Sequence, residues 1–465
     1  MEKYLKHYAE AETAALGGLP EQAAWQNVMV VPACNETAGL LRPPPPCGGR
    51  SLMILVINEP ENASQEVSPG NQALAEAVHK RFTPFWRSAK DPGLSLWRDE
   101  PGDRDLLLVD RFSQGRKIPA GGGVGQARKI GADLALSLIH RQRINTTWIH
   151  CTDADVRLPK TYFLRSNALG SSTSKYSALI YPFRHSDNPE NPGGREVVMA
   201  TQLYELSLRY YVAGMRFARS PYAFHTIGST MAVSAPHYAK VRGFPKREAG
   251  EDFYLLNKLA KLGPVLELDT GEENLVIEIE SRRSDRVPFG TGAAVNKITG
   301  FVDQVDEFRF YDPAVFSLLK IWLQSLPAIW HAGSAELDIS VFQEQASDIR
   351  DLELQSLLAG LKTMKSERAL EHAFRQSKNL DQFTRQVHTW FDAFRTLKLI
   401  HFLRDGYLPS ISYARLEANS VYRHLLTRDP GLLAFHKYLQ VFLEAEPSGN
   451  QQGPAIWADP DNRQF

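Results

Sequence analysis

Two aspartates one residue apart, Asp153 and Asp155, follow the apolar run "TTWIHC" (146–151). Carboxylates at i and i+2 repel unless something positive lies between them. A divalent cation is the common answer, because hard cations take oxygen ligands. A solvated turn would also account for a lone D-x-D. Here a β-favouring run precedes the pair, and Pro159 and a helical stretch from Lys160 follow it. The motif therefore reads as metal ligation by Asp153 and Asp155 at a strand exit.

Three further groups carry chemistry. In "IPAGGGVGQARKIGADLALSLIH" (118–140), four of residues 121–125 are Gly, so the backbone can approach a ligand closely. A helix follows, with Ala127, Ile130, Leu134 and Leu138 on one face. Its N-terminal N–H groups suit a phosphate. Arg128 and Lys129 oppose the helix dipole there, which costs about 0.3–1 kcal/mol unless an anion answers them; a flexible loop with two solvated cations is the plainer alternative. The spacing is not the G-x-G-x-x-G of a dinucleotide site. In "GFPKREAGEDFYLLNKLAKLG" (243–263), Glu251 and Asp252 open a helix with Leu255, Leu256, Leu259 and Leu262 inward and Gly263 as its stop. Acids at a helix N-terminus are favourable caps; the functional alternative is a general base. In "ESRRSDRVPFGTGAA" (280–294), Arg282, Arg283 and Arg286 precede a Pro/Gly loop. Arginine forks match phosphate and carboxylate oxygens, Gly290 and Gly292 suit the hinge of a lid, and a solvated basic face is the bland reading.

Elements must hold these groups together. From about residue 27 to 270, short β-rich runs alternate with helical stretches: "NVMVV" (27–31), "LMILVI" (52–57), "DLLLVD" (105–110), "TTWIHC" (146–151), "SALIY" (177–181) and "PVLEL" (264–268). Continuous apolar runs indicate strands buried on both faces, and their alternation with helices indicates an α/β sheet. Ligands of such sheets bind at the carboxyl ends of the strands, where "PACNE" (32–36), "NEPENAS" (58–64) and "TDAD" (152–155) lie. "RPPPPCGG" (42–49) reads as a surface loop. Beyond about 312 the pattern turns amphipathic-helical. Phe383, Val387, Trp390, Phe391, Phe394 and Leu397 form one stripe. A later helix starts with Asp429 as N-cap and Pro430 in its first turn, and carries Leu432, Leu433, Phe435, Tyr438, Leu439 and Phe442. These stripes read as core.

The totals bound the function. The 465 residues allow two or three domains. Lys+Arg and Asp+Glu are both 53, against the basic excess of a nucleic-acid binder. No apolar run reaches membrane-span length, and "MEKYLKHYAEAETAALGG" lacks a secretory h-region, so a cytoplasmic location is expected. Cys34, Cys47 and Cys151 are too few and scattered for a disulfide framework or zinc site. The Asn-x-Ser/Thr sequons at Asn35, Asn62 and Asn145 are read as chance. His225 and His237 are read as structural, with metal or acceptor roles as the alternative.

In this order, the pieces resemble a GT-A-fold glycosyltransferase, similar to family 2. "VVPACNE" (30–36) resembles the first-strand motif of that family. "GVGQARKIGAD" (123–133) resembles its glycine-plus-Ala-Arg segment and "TDADVRLP" (152–159) its D-x-D motif. "GSTMAVSAPHYAKVRGFPKREAGED" (228–252) resembles its acceptor-side strand, Gly-Phe turn and Glu-Asp pair. The resemblance spans about 25–270 and implies a GT-A domain over 25–311, after a helical lead-in over 1–24 and before an all-helical region over 312–465. Two departures stand out. The family's second-strand Asp-Asp is "INEPENAS" here, so Asn58 or Glu59 stands in. Its Arg-Asn is Arg128-Lys129.

The resemblance further implies a nucleotide-sugar donor held by Pro32, Asn35, Glu36, Asn58, Glu59, Gly123, Arg128, Lys129, Asp153, Arg282, Arg283 and Arg286. Mn²⁺ or Mg²⁺ would sit on Asp153 and Asp155. Asp252 would be the general base, with Glu251 orienting the acceptor or donor, and the sugar would transfer with inversion to a small-molecule, lipid-linked or glycan hydroxyl. A retaining relative needs no such base. A non-catalytic sugar- or nucleotide-binding protein on the same scaffold would not need both carboxylate groups intact. A haloacid-dehalogenase phosphatase wants Thr or Val where Arg157 stands. The C-terminal helices leave room for a homodimer.

Overall fold

The structure is a computed structural model. It describes residues 1–444 apart from 43, 100–102, 170–174, 189–192, 269–274, 287–289 and 347–348. The polyproline loop therefore lies partly outside the described residues, as does the centre of the loop expected to form a lid.

The chain is mixed α/β with a helical C-terminal region, and it forms two compact units. The first comprises Met1–Ser186 and Thr226–Ala293. Its centre is a nine-stranded sheet built from β1 (Asn27–Ala33), β2 (Ser51–Asn58), β3 (Thr83–Arg87), β4 (Leu94–Asp99), β5 (Arg104–Arg111), β6 (Trp148–Cys151), β8 (Ala178–Ile180), β10 (Met231–Ser234) and β11 (Val265–Glu267), in the order β11-β8-β10-β6-β1-β2-β5-β4-β3. Only β4 and β10 run against the rest. All six expected runs are strands. β1 and β2, buried along their whole length, pair in parallel from Asn27↔Ser51 to Ala33↔Ile57, as strands covered on both faces do.

The first unit's helices are α1 (Glu2–His7), α2 (Val67–Arg81), α3 (Gly123–His140), α4 (Tyr162–Ala168), α6 (Ala235–Lys240) and α7 (Glu251–Leu259). Gly131 lets α3 lie hard on the sheet: a Cβ there would meet Val30 Cγ1 at 2.3 Å. Helix α7 ends at Leu259, so Leu262, expected inward, is 47% exposed.

A second sheet, β7-β12-β9, joins β7 (Val156–Arg157), β9 (Phe183–His185) and β12 (Ile277–Ile279). β12 runs antiparallel to β7 and parallel to β9.

The second unit comprises Asp187–His225 and 294 onward. Its long helix α5 (Gly194–Phe217) packs with C-terminal helices; a Cβ at Gly214 would meet the Phe316 ring at 2.5 Å. The aromatic stripe from Phe383 is two helices rather than one, Leu380–Trp390 and Ala393–Gly406. Asp392 breaks the register by capping the second through the Arg395 N–H, which leaves Phe394 at the surface. Asp429 caps the Pro430–Glu444 helix as expected, accepting the Leu432 N–H at 2.9 Å.

Candidate functional site

Asp153 and Asp155 lie in the four-residue gap, 152–155, between β6, in the large sheet, and β7, in the small one. The carboxyl end of β6 therefore delivers them where the two sheets meet. Each aspartate is bound by a different arginine, and each arginine also holds a glutamate.

The first bridge is buried. Arg128, in the second turn of α3, donates from Nη2 to Asp153 Oδ1 at 2.5 Å, from Nε to Glu251 Oε1 at 2.8 Å and from Nη1 to the Gly228 carbonyl at 3.1 Å. It is 3% exposed. Burial works against its charge, but the flanking Asp153 and Glu251 carboxylates outweigh that and raise its pKa. Tight glycine packing places Arg128. A Cβ at Gly123 would meet Glu248 Cα at 2.5 Å, and one at Gly125 would meet the Pro245 and Arg247 carbonyl oxygens at 2.6 and 2.7 Å. The Gly125 N–H donates to the Arg247 carbonyl at 3.0 Å. These two glycines serve a backbone-to-backbone approach between α3 and the segment leading into α7. Gly123, assigned from the sequence to the donor, is part of that seam.

The second bridge is shallower. Arg282 Nη2 lies 2.7 Å from Asp155 Oδ2 and 2.7 Å from Glu36 Oε1. Arg286 also binds Glu36 Oε1 and donates to the Cys34 carbonyl at 3.1 Å. The small sheet sets this register: β12 pairs with β7, and the Glu280 N–H donates to the Asp155 carbonyl at 3.2 Å. Burial pushes the Glu36 carboxyl up, but its bonds to Arg282 and Arg286 prevail and hold it below the usual range. For Asp155 burial prevails over Arg282, and its pKa is raised. Arg283 is exposed.

Asp252 adjoins the first bridge through Glu251. Burial, the neighbouring Glu251 charge and Asp153 push its carboxyl from 3.8 up to about 7, against the Phe253 N–H and Arg128. A carboxyl that gains and loses its proton near neutrality is matched to general-base work.

The remaining sequence candidates fall in four places. Pro32 is a buried β1 residue opposite Val56. Asn35 and Asn58 are linked through the buried Asn71 of α2, which accepts the Asn35 N–H at 2.8 Å and donates to the Asn58 carbonyl at 3.1 Å. Glu59 is 1% exposed and binds the Ser68 hydroxyl at 2.7 Å and Lys117 at 2.5 Å. Lys129 stands apart. Consecutive helical residues point about 100° from one another, and Lys129 turns to Asp133 Oδ2 at 2.7 Å and the Tyr4 hydroxyl at 2.7 Å. The buried Asp133 needs a counter-ion, so Lys129 is engaged there rather than beside Arg128. His237 bonds Ser234 Oγ at 2.9 Å, and His225 belongs to the second unit. The sequence reading missed Asn71, Lys117 and the Gly228 carbonyl. A polar residue at an inward position of α2 was the one available signal.

Among the described residues, no group of three or more His, Cys, Asp and Glu side chains forms a metal cage. Asp153 and Asp155 instead offer two hard carboxylates, with Asp153's side chain 36% exposed. That donor set fits Mg²⁺ or Mn²⁺ of the kind that takes its remaining oxygens from water and a substrate's phosphates.

No protein-family model and no curated protein matches the chain. Among solved structures it is similar to a mannosyltransferase from Pyrobaculum calidifontis in complex with GDP-Man and Mn2+, at 12% identity and TM-score 0.30, covering 89% of this chain and 86% of that one. It is also similar to a mycobacterial protein, at 13% identity and TM-score 0.28, covering 64% of this chain and 81% of that one. Likenesses so slight do not bear on the chemistry. No helix of the described residues is long and apolar enough to cross a membrane.

Proposed function

We propose that the first unit is a metal-dependent glycosyltransferase of GT-A type, moving a sugar from a nucleotide-diphosphate donor to an acceptor hydroxyl with inversion. One observation carries the reading: Arg128 ties Asp153, of the i, i+2 carboxylate pair, to Glu251, the neighbour of a carboxyl poised near neutral pH. A candidate cation seat and a candidate base thus share one site.

Asp153 and Asp155 would hold Mn²⁺ or Mg²⁺, which when bound supplies charge neutralisation to a leaving diphosphate. Arg282 and Arg286 would turn from Glu36 to the diphosphate oxygens, for which the guanidinium fork is suited. Asp252 would take the proton of the acceptor hydroxyl. The acceptor oxygen forms its bond to the anomeric carbon as the carbon–oxygen bond to the nucleoside diphosphate breaks, and the electron pair leaves with the diphosphate. Base assistance of this kind contributes about 10²–10⁴-fold. Glu251, fixed by Arg128, would orient the reacting groups. The acceptor would be a hydroxyl of a small-molecule, lipid-linked or glycan substrate.

A thermal-shift panel of UDP-, GDP- and ADP-sugars with and without Mn²⁺ tests donor binding. A ligand at a hundred times its Kd adds about 2.7 kcal/mol, so one family of donors should raise Tm in a cation-dependent way. Asp252→Asn should retain that shift and lose turnover by about 10²–10⁴-fold. Undiminished turnover removes Asp252 from the mechanism and returns the choice to a retaining enzyme.

A further inference from the structure

The N-terminal segment makes polar contacts in the first unit that the proposed chemistry does not use. Tyr4, 3% exposed, donates its hydroxyl to Asp133 Oδ1 at 2.6 Å. Tyr238 donates to the same oxygen at 2.8 Å, and the Glu10 N–H to Oδ2 at 2.8 Å. Lys129 donates to Asp133, to the Tyr4 hydroxyl and to the Tyr8 carbonyl at 2.7, 2.7 and 3.0 Å. Asp133 is fully buried and Lys129 5% exposed. This is a desolvated ion pair completed from outside α3 by the first ten residues together with Tyr238 of α6.

The same segment grips a second element. Glu10 Oε1 lies 2.8 Å from Lys246 Nζ. Arg242 stacks over the Tyr8 ring at 4.6 Å. At Gly243, in the left-handed region at φ +70°, a Cβ would meet the Tyr4 hydroxyl at 2.4 Å. Residues 242–246 lead through the glycine seam into Glu251 and Asp252. Residues 2–10 therefore hold both sides of that seam: α3, which carries Arg128 to Asp153, and the stretch that carries Asp252.

We infer that the N-terminal segment is a clasp that sets the base side of the site against its cation side, with Tyr4 as a positioning residue for the transfer reaction. The inference rests on the reading of the site as a transferase. A base displaced by about 1 Å from the reacting oxygen can cost as much as 10²-fold in rate while leaving donor contacts in place.

The test compares the wild-type chain with Tyr4→Phe, which keeps the ring and removes the hydroxyl, and with Lys246→Ala, a change at a half-exposed side chain that the core does not need. Hydrogen exchange over residues 123–131 and 242–252 and the split between kcat and donor Kd are the readouts, taken well below Tm. The clasp predicts that Tyr4→Phe speeds exchange in both stretches together and lowers kcat about tenfold or more with donor Kd within about threefold. Lys246→Ala should move both readouts in the same direction by less. Exchange that quickens in α3 alone overturns the clasp, as does a loss of kcat and donor affinity in common proportion. If wild type turns over no nucleotide-sugar, the transferase reading falls instead, and joint exchange in the two stretches still decides whether the segment clasps them.

Discussion

Arg128 and Arg282 occupy matching positions at different depths. Each bridges one aspartate of the Asp153/Asp155 pair to a glutamate, yet Arg128's side chain is 3% exposed and Arg282's is 24%. Arg128 sits on a long helix locked to its neighbour by glycines, with a backbone carbonyl as third partner. Arg282 leaves a three-residue strand and shares Glu36 with the more exposed Arg286, whose side chain is 33% exposed. Depth separates their roles. A buried guanidinium between two carboxylates is structure, since removing it strands their charges. Arg282, a quarter exposed, gives up an ion pair at less cost than a buried guanidinium does and can take a ligand's oxygens instead.

That contrast can be broken most severely at Arg128. Arg128→Met should lower unfolding stability in a denaturant titration by about 3–5 kcal/mol, because Glu251 is left buried and unpaired. A loss under about 1 kcal/mol would place Arg128 with the exchangeable group. Gly125→Ala strikes the same bridge through its seam: the new methyl meets backbone oxygens that cannot swing aside, and overpacking of that kind costs about 1–3 kcal/mol. Arg282→Gln should change stability by less than about 1 kcal/mol while weakening donor binding in a calorimetric titration; a large fall in stability would erase the distinction between the bridges.

A pH dependence probes the base side of the same site. The folded-state pKa of Asp252, about 7, lies above its ordinary 3.8, so the folded chain holds that proton more tightly than the unfolded chain. Relative to Asp252→Asn, the wild type should lose stability as pH rises from about 4 to about 7 and show no further change above. Turnover runs the other way and should rise through about pH 7 as the base form appears.

The two bridges also differ in how far the sequence announced them. The six strands with continuous apolar runs were legible because burial on both faces leaves an unbroken signature. So was the clustering of Asp153, Glu251 and Arg128, since each follows or opens an element of strong pattern. The β3–β4 hairpin was not: β3 is half-exposed at the sheet edge, where the apolar signal is diluted. The small sheet was invisible, its strands being two or three residues long, and with it the register that sets Arg282 on Asp155. Sequence reading assigned the arginines to a donor's diphosphate; in the folded chain Arg282 and Arg286 also answer the protein's own carboxylates. Lys129 shows the same limit. Adjacent to Arg128 in sequence, it belongs to a different face of α3, and its partner at Tyr4 lies 125 residues away.

Because both aspartates already carry guanidinium partners, assembly of this centre would not wait for the cation proposed above. Protein purified in chelator should melt as cooperatively as protein never stripped of divalent ions, unlike small metal-nucleated domains that come apart when demetallated. Preparations can then be stored ion-free and charged with a chosen ion at the moment of assay.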